Sequence, residues 1–154
     1  MKSGSTIFLR GLIFIMGIAV LAMCIVSVYV MLEERLMQLV YVVLLGLFVT
    51  AIPFYFALYQ TLKLLNFIDN NKAFSNLSVN ALKKIKFSAI IISIFYIIGM
   101  PIIYLIAKDL DAPGLMGIGL AVTLAPVTVA TLAAILQRLL KDAIDIKSEN
   151  DLTV

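Results

Sequence analysis

Four long apolar runs dominate the chain, at Gly11–Leu32, Leu36 to about Leu62, Phe87–Ala107 and Leu115–Leu140, and no Asp, Glu, Lys or Arg interrupts them before Arg138. Each is long enough to cross a hydrocarbon core of about 30 Å, which takes roughly 20 helical residues. Barrel strands would alternate polar and apolar positions over about ten residues, and these runs do not. The pattern predicts an all-α integral membrane protein, a single domain over residues 1–154 with four transmembrane helices.

The polar breaks set the organisation. Glu33-Glu34-Arg35 and Lys108–Gly114 are short, the second carrying Pro113-Gly114, so each closes an antiparallel helical hairpin. The longer break, Lys63–Lys86, joins the hairpins, and residues 141–154 form a polar tail. Composition agrees: 63% of residues are hydrophobic and 14% charged, where soluble domains carry about 25% charged residues. The mean hydropathy is +1.12.

Charge orients the array. All but two of the twelve basic residues fall at the amino end (Lys2, Arg10), in the central segment (Lys63, Lys72, Lys83, Lys84, Lys86) or near the tail (Arg138, Lys141, Lys147). The two short breaks hold only Arg35 and Lys108, beside Glu33, Glu34, Asp109 and Asp111. Basic residues are retained on the cytoplasmic side, so both termini and the central segment are expected inside. That positive end suits the lipid bilayer's anionic inner-leaflet headgroups and gives no case for direct nucleic acid binding. Lys2 and Arg10 before an apolar run, with Leu21-Ala22-Met23-Cys24 following, resemble a lipoprotein leader. The run continues past Cys24 to Leu32, however, and Met precedes the cysteine, so a retained first helix is expected.

The chemistry offered is sparse. There is no histidine and only one cysteine, and the spans contain no paired carboxylates and no phosphate-binding glycine loop. Catalysis, a metal site and a cofactor are therefore not expected, and a carrier coupled through an intramembrane ionisable group is disfavoured. Pro53, Pro101 and Pro126 lie near the middles of helices two, three and four, where they could kink the helices and open a cavity or simply be absorbed by packing. Gly117, Ala121 and Ala125 recur every four residues as a smooth helix-packing face, assigned to the bundle in preference to a homo-oligomer. Hydroxyls within the spans are expected to bond back to their own helices.

The central segment holds most of the polar detail. Apolar residues keep helical spacing through Ile68, so helix two continues beyond the membrane until Asp69-Asn70-Asn71, where an asparagine suits a left-handed cap. Ser75 is a natural N-cap for a second short helix running from Asn76 into helix three. In that helix Phe74, Leu77, Ala81, Leu82 and Ile85 share one side, with Asn76, Asn80, Lys83, Lys84 and Lys86 opposite. The expectation is a cytoplasmic amphipathic elbow at the membrane surface. Phe74, Ser75, Lys83, Lys84 and Lys86 are its candidate partner or lipid-headgroup surface; anchoring helix three and binding a partner both remain open.

The helix end, the Asn71-Lys72-Ala73-Phe74-Ser75 step and the following Leu-Lys-Lys-Ile resemble the YoaS-type family of small bacterial membrane proteins, an uncharacterised group with four predicted spans. That family's usual step is Gly-x-Pro-Phe followed by Ser or Thr; here the glycine and proline are absent, and Asn76 and Asn80 supply amides in shifted places. The resemblance implies a multi-pass protein of the bacterial plasma (inner) membrane. It also implies a link to a cytoplasmic helix-turn-helix DNA-binding regulator, because members are often encoded beside one. The leading expectation is a non-enzymatic protein that senses or sequesters such a regulator. The alternatives are a small transporter or channel subunit acting as an oligomer, and a membrane immunity or envelope-stress protein.

Overall fold

The structure, a computed structural model, describes residues 4–33 and 38–153, which fold into four helices: α1 (Gly4–Glu33), α2 (Gln38–Asp69), α3 (Asn76–Asp109) and α4 (Gly114–Thr153). Lys2 and most of the first hairpin's polar turn, at Glu34 and Arg35, lie outside the described residues. All four helices are long and apolar enough to cross a membrane.

The helices outrun the spans predicted from sequence, mainly at the basic end. At 1.5 Å per residue, the 32 residues of α2 extend about 48 Å, the 34 of α3 about 51 Å and the 40 of α4 about 60 Å, against a core of about 30 Å. Residues 110–113 form the short α3–α4 connection, which holds the acidic end close to one membrane face. The surplus turns of α2, α3 and α4 lie together at the end away from that connection, as a helical stub. The polar tail belongs to that stub, because α4 continues to Thr153.

Both described connections carry a left-handed residue at their second position. Asn71 (φ 60°) follows α2, and the Lys72 and Asn71 amides donate to the carbonyls of Phe67 and Ile68. Asp111 (φ 53°) follows α3, with the Ala112 and Asp111 amides donating to Ala107 and Lys108. This double bonding satisfies carbonyls that a helix end otherwise leaves unpaired. Asparagine and aspartate tolerate the left-handed region better than other non-glycine residues. Asn71→Val should cost about 1–2 kcal/mol of stability and Asn71→Gly almost nothing, as read by unfolding in mixed micelles.

The segment after the turn is the start of α3. From Asn76 the chain enters α3 and runs unbroken into the third span. The apolar positions assigned to the membrane surface are partly used for packing instead: Ala81, Leu82 and Ile85 are buried, while Phe74 and Leu77 stay exposed. Ser75 occupies the N-cap position in an extended conformation but makes no side-chain cap. Its hydroxyl donates to the Lys72 carbonyl at 2.5 Å, and its own carbonyl accepts from the Ser78 and Val79 amides.

Among the described residues α1 packs on α2, α2 on α3 and α3 on α4, and no other pair of helices makes backbone contact. Each helix packs on its neighbours in chain order, with α2 and α3 at the centre. Lipid supplies little hydrophobic drive between helices, so they approach where side chains are small. On α3, Ser78, Ala81, Ser88, Ala89 and Ser93 are buried at the roughly 3.5-residue spacing of a packing seam. Gly117, Ala121 and Ala125 do not take the role expected of them: all three are exposed, and a Cβ added to Gly117 would meet nothing within 4 Å. Gly119, midway between Gly117 and Ala121 in sequence, faces α3, where an added Cβ would lie 3.3 Å from Ile103 and 3.4 Å from Met100.

Helix α1 is held differently. It is apolar around its whole circumference, so most of its surface faces lipid, and its polar ties to α2 are specific. The Tyr55 hydroxyl donates to the Gly17 carbonyl at 2.7 Å, and Arg10 Nη2 donates to Asp69 Oδ2 at 2.9 Å.

Candidate functional site

The turn after α2 and the start of α3 place Phe74 and Leu77 at the tip of the stub, 58% and 50% exposed. Twelve residues separate Phe74 from Lys86, which is about 18 Å along a helix axis. These side chains therefore stand well beyond the lysines along the helix axis. The antiparallel packing that sets Gly119 against Met100 and Ile103 also carries the last turns of α4 level with this tip. Those turns are exposed and carry Asp142, Asp145, Glu149 and Asp151 with Lys147. The tip thus combines two exposed apolar side chains with an acidic helix end.

The lysines of α3 divide from that tip. Lys83 and Lys86 lean over the Phe87 ring, with their Nζ atoms 5.9 Å and 5.2 Å from its centroid. Lys84 points to another feature, an open groove of about 500 Å³ between α2 and α3. Val49, Ile52, Pro53 and Phe56 line its α2 side, and Phe87, Ser88, Ile91 and Phe95 line its α3 side. The Ser88 hydroxyl donates to the Lys84 carbonyl, so this polar side chain makes no unmet demand on the groove. Lys63 lies on α2, with its Nζ 5.5 Å from the Tyr59 ring centroid.

A second cavity, of about 270 Å³, is bounded by all four helices, with Cys24 and Ser27 from α1, Thr50 and Phe54 from α2, Tyr96 from α3 and Val122 from α4. Its polar groups are largely occupied. The Ser27 and Thr50 hydroxyls donate to the carbonyls of Met23 and Leu47, and Thr50 Oγ1 lies 3.4 Å from the Tyr96 hydroxyl. Elsewhere Ser93, Thr123, Thr128 and Thr131 likewise donate to carbonyls four residues back, as expected of hydroxyls in membrane helices.

The three prolines do not converge on one cavity. Helices α2, α3 and α4 run continuously through Pro53, Pro101 and Pro126; of the three, Pro53 lines the outer groove and none lines the four-helix cavity. A proline's missing donor is tolerated in a membrane helix without creating a functional hinge. Among the described residues no three of Cys, Asp and Glu gather as a metal site.

The feature that sequence reasoning missed is the Arg10–Asp69 ion pair, 59 positions apart along the chain, in which the Asp69 side chain is 4% exposed and that of Arg10 38%. A carboxylate in the last turn of a helix meets the negative end of the helix dipole, so Asp69 there calls for a cation. That misplaced acid was the available signal.

A family model described as a protein of unknown function (DUF2975) matches residues 29–154. The chain is 54% identical over 160 residues to the uncharacterized membrane protein YoaS of Bacillus subtilis (strain 168), covering the full length of both. No solved structure matches.

Proposed function

This chain belongs to the DUF2975 family of proteins of unknown function, and from that premise we propose that it is a non-enzymatic docking protein holding a soluble helix-turn-helix regulator at the inner face of the membrane. In this reading both termini and the 70–75 turn are cytoplasmic, as the charge distribution favours. The observation that carries it is the exposure of Phe74 and Leu77 at the tip of a rigid stub, beside the acidic end of α4. Large apolar side chains exposed beyond the lipid mark an interaction site. A DNA-reading surface is basic, and an acidic helix end complements it. Occupying that surface would compete with DNA, so retention at the membrane and inhibition would be one event.

The test is capture of the regulator encoded beside this protein by the full chain in detergent. Phe74→Asp is expected to weaken capture at least about tenfold, since an exposed aromatic anchor at an interface carries roughly 2 kcal/mol or more. Lys83→Glu, off the tip, is expected to change capture far less. Unchanged capture by Phe74→Asp together with Leu77→Asp would overturn the docking surface. The transporter or channel reading needs a wet path, and the lining of the two cavities lends it no support.

A further inference from the structure

We infer that the α2–α3 groove is a binding site for one anionic phospholipid of the basic-side leaflet, its acyl chain lying along Pro53, Phe56, Ile91 and Phe95 and its headgroup phosphate held by Lys84. The argument is independent of whether a regulator docks at the tip.

Depth is the first observation. Lys84 and Phe95 are eleven residues apart on α3, about 16 Å along its axis, which is half of a hydrocarbon core of about 30 Å. The groove is therefore one leaflet deep. Its antiparallel wall on α2 runs from Phe56 back to Val49, so both walls end near mid-membrane.

Polarity is the second. The walls are apolar throughout their length, the Ser88 hydroxyl being committed to the Lys84 carbonyl. Water would leave such walls unsatisfied, and an acyl chain matches them. Lys84 is the charged residue of the lining and stands at one end, lining it with its alkyl stem, with Lys83 and Lys86 gathered over the Phe87 ring beside it. A cation at the mouth of a leaflet-deep apolar slot selects a lipid with a net negative headgroup over a zwitterionic one, because the choline or ethanolamine charge of the latter opposes the lysines. The size of the groove, about 500 Å³, lies within the range of small-molecule pockets, about 300–1,000 Å³.

The experiment is native mass spectrometry of the full chain released from mixed micelles holding equal amounts of phosphatidylglycerol and phosphatidylcholine. The wild type is expected to retain one phosphatidylglycerol several-fold in excess of phosphatidylcholine. Lys84→Gln should reduce that preference at least about fivefold while leaving total lipid retention nearly unchanged. Ile91→Trp, which fills the groove from an exposed position, should remove the retained lipid of both kinds. Lys147→Gln, with the same loss of charge at the far end of α4, should behave as wild type. Equal retention of the two lipids by the wild type, or the same loss of preference in Lys84→Gln and Lys147→Gln, would overturn the site in favour of diffuse attraction to the whole basic end.

Discussion

Arg10→Met is expected to be among the more destabilising substitutions in the first helix, at about 1–3 kcal/mol, and Asp69→Leu, on the other side of the same ion pair, less. The asymmetry follows from burial. Removing the arginine leaves a carboxylate that is 4% exposed without its guanidinium partner, in the last turn of α2, where the helix dipole already opposes it. Removing the aspartate leaves a guanidinium that is 38% exposed and can turn towards water or headgroups, at a cost of about 1 kcal/mol. The double variant Arg10→Met/Asp69→Leu should recover to within about 1 kcal/mol of wild type, because replacing a buried pair by apolar residues is often neutral. Unfolding in sodium dodecyl sulfate measures the ranking. Modification of Cys24, the chain's one cysteine, by a membrane-permeant maleimide reports whether α1 has left α2, since Cys24 lines the four-helix cavity. Equal, small effects from both single variants would mean that apolar contact alone holds α1.

The second large effect is expected on α3. Ala89 is 3% exposed within the seam of small residues, so Ala89→Leu must push a neighbouring helix away. Overpacking of this kind costs about 1–3 kcal/mol. Ala121→Leu, on the exposed stripe of α4, should stay within about 0.5 kcal/mol of wild type. A thermal-stability comparison of the two in the same detergent decides the matter. If Ala121→Leu proved the more damaging, the stripe would be buried in an oligomer and the single chain would not be the complete assembly.

These two predictions mark where reading the chain stops being sufficient. The number of spans, their antiparallel order and the left-handed cap at Asn71 were legible because each is local: a run of apolar residues, a short polar break, an asparagine where helical spacing ends. The small-residue stripe was misassigned because periodicity shows that residues share a face and leaves open what the face meets. Gly117, Ala121 and Ala125 share one as well as Ser78, Ala81 and Ser88 do, yet the first set is exposed and the second is buried against protein. In water the polarity of a face would separate the two cases; lipid is as apolar as a protein core, so that signal vanishes. The segment after the Asn71 turn shows the same limit. Its apolar positions share a face along the chain, yet Ala81, Leu82 and Ile85 are buried while Phe74 and Leu77 stay exposed.

The candidate sites divide in the same way. Phe74 and the lysines were visible as unusual residues in a polar segment, but their separation into an exposed tip and a groove mouth depends on α3 being continuous and on the α2 surface that faces it. The ion pair between Arg10 and Asp69 depends on α1 returning alongside α2, 59 positions away in sequence.

By itself, then, the sequence determined that this is a four-span membrane protein with its positive charge at one end, because hydrocarbon admits only segments that satisfy their own backbone and headgroups sort the charges. The tertiary structure alone decided which faces meet. That choice rests on side-chain size and on a few buried polar ties between helices, and neither leaves a periodic mark along the chain.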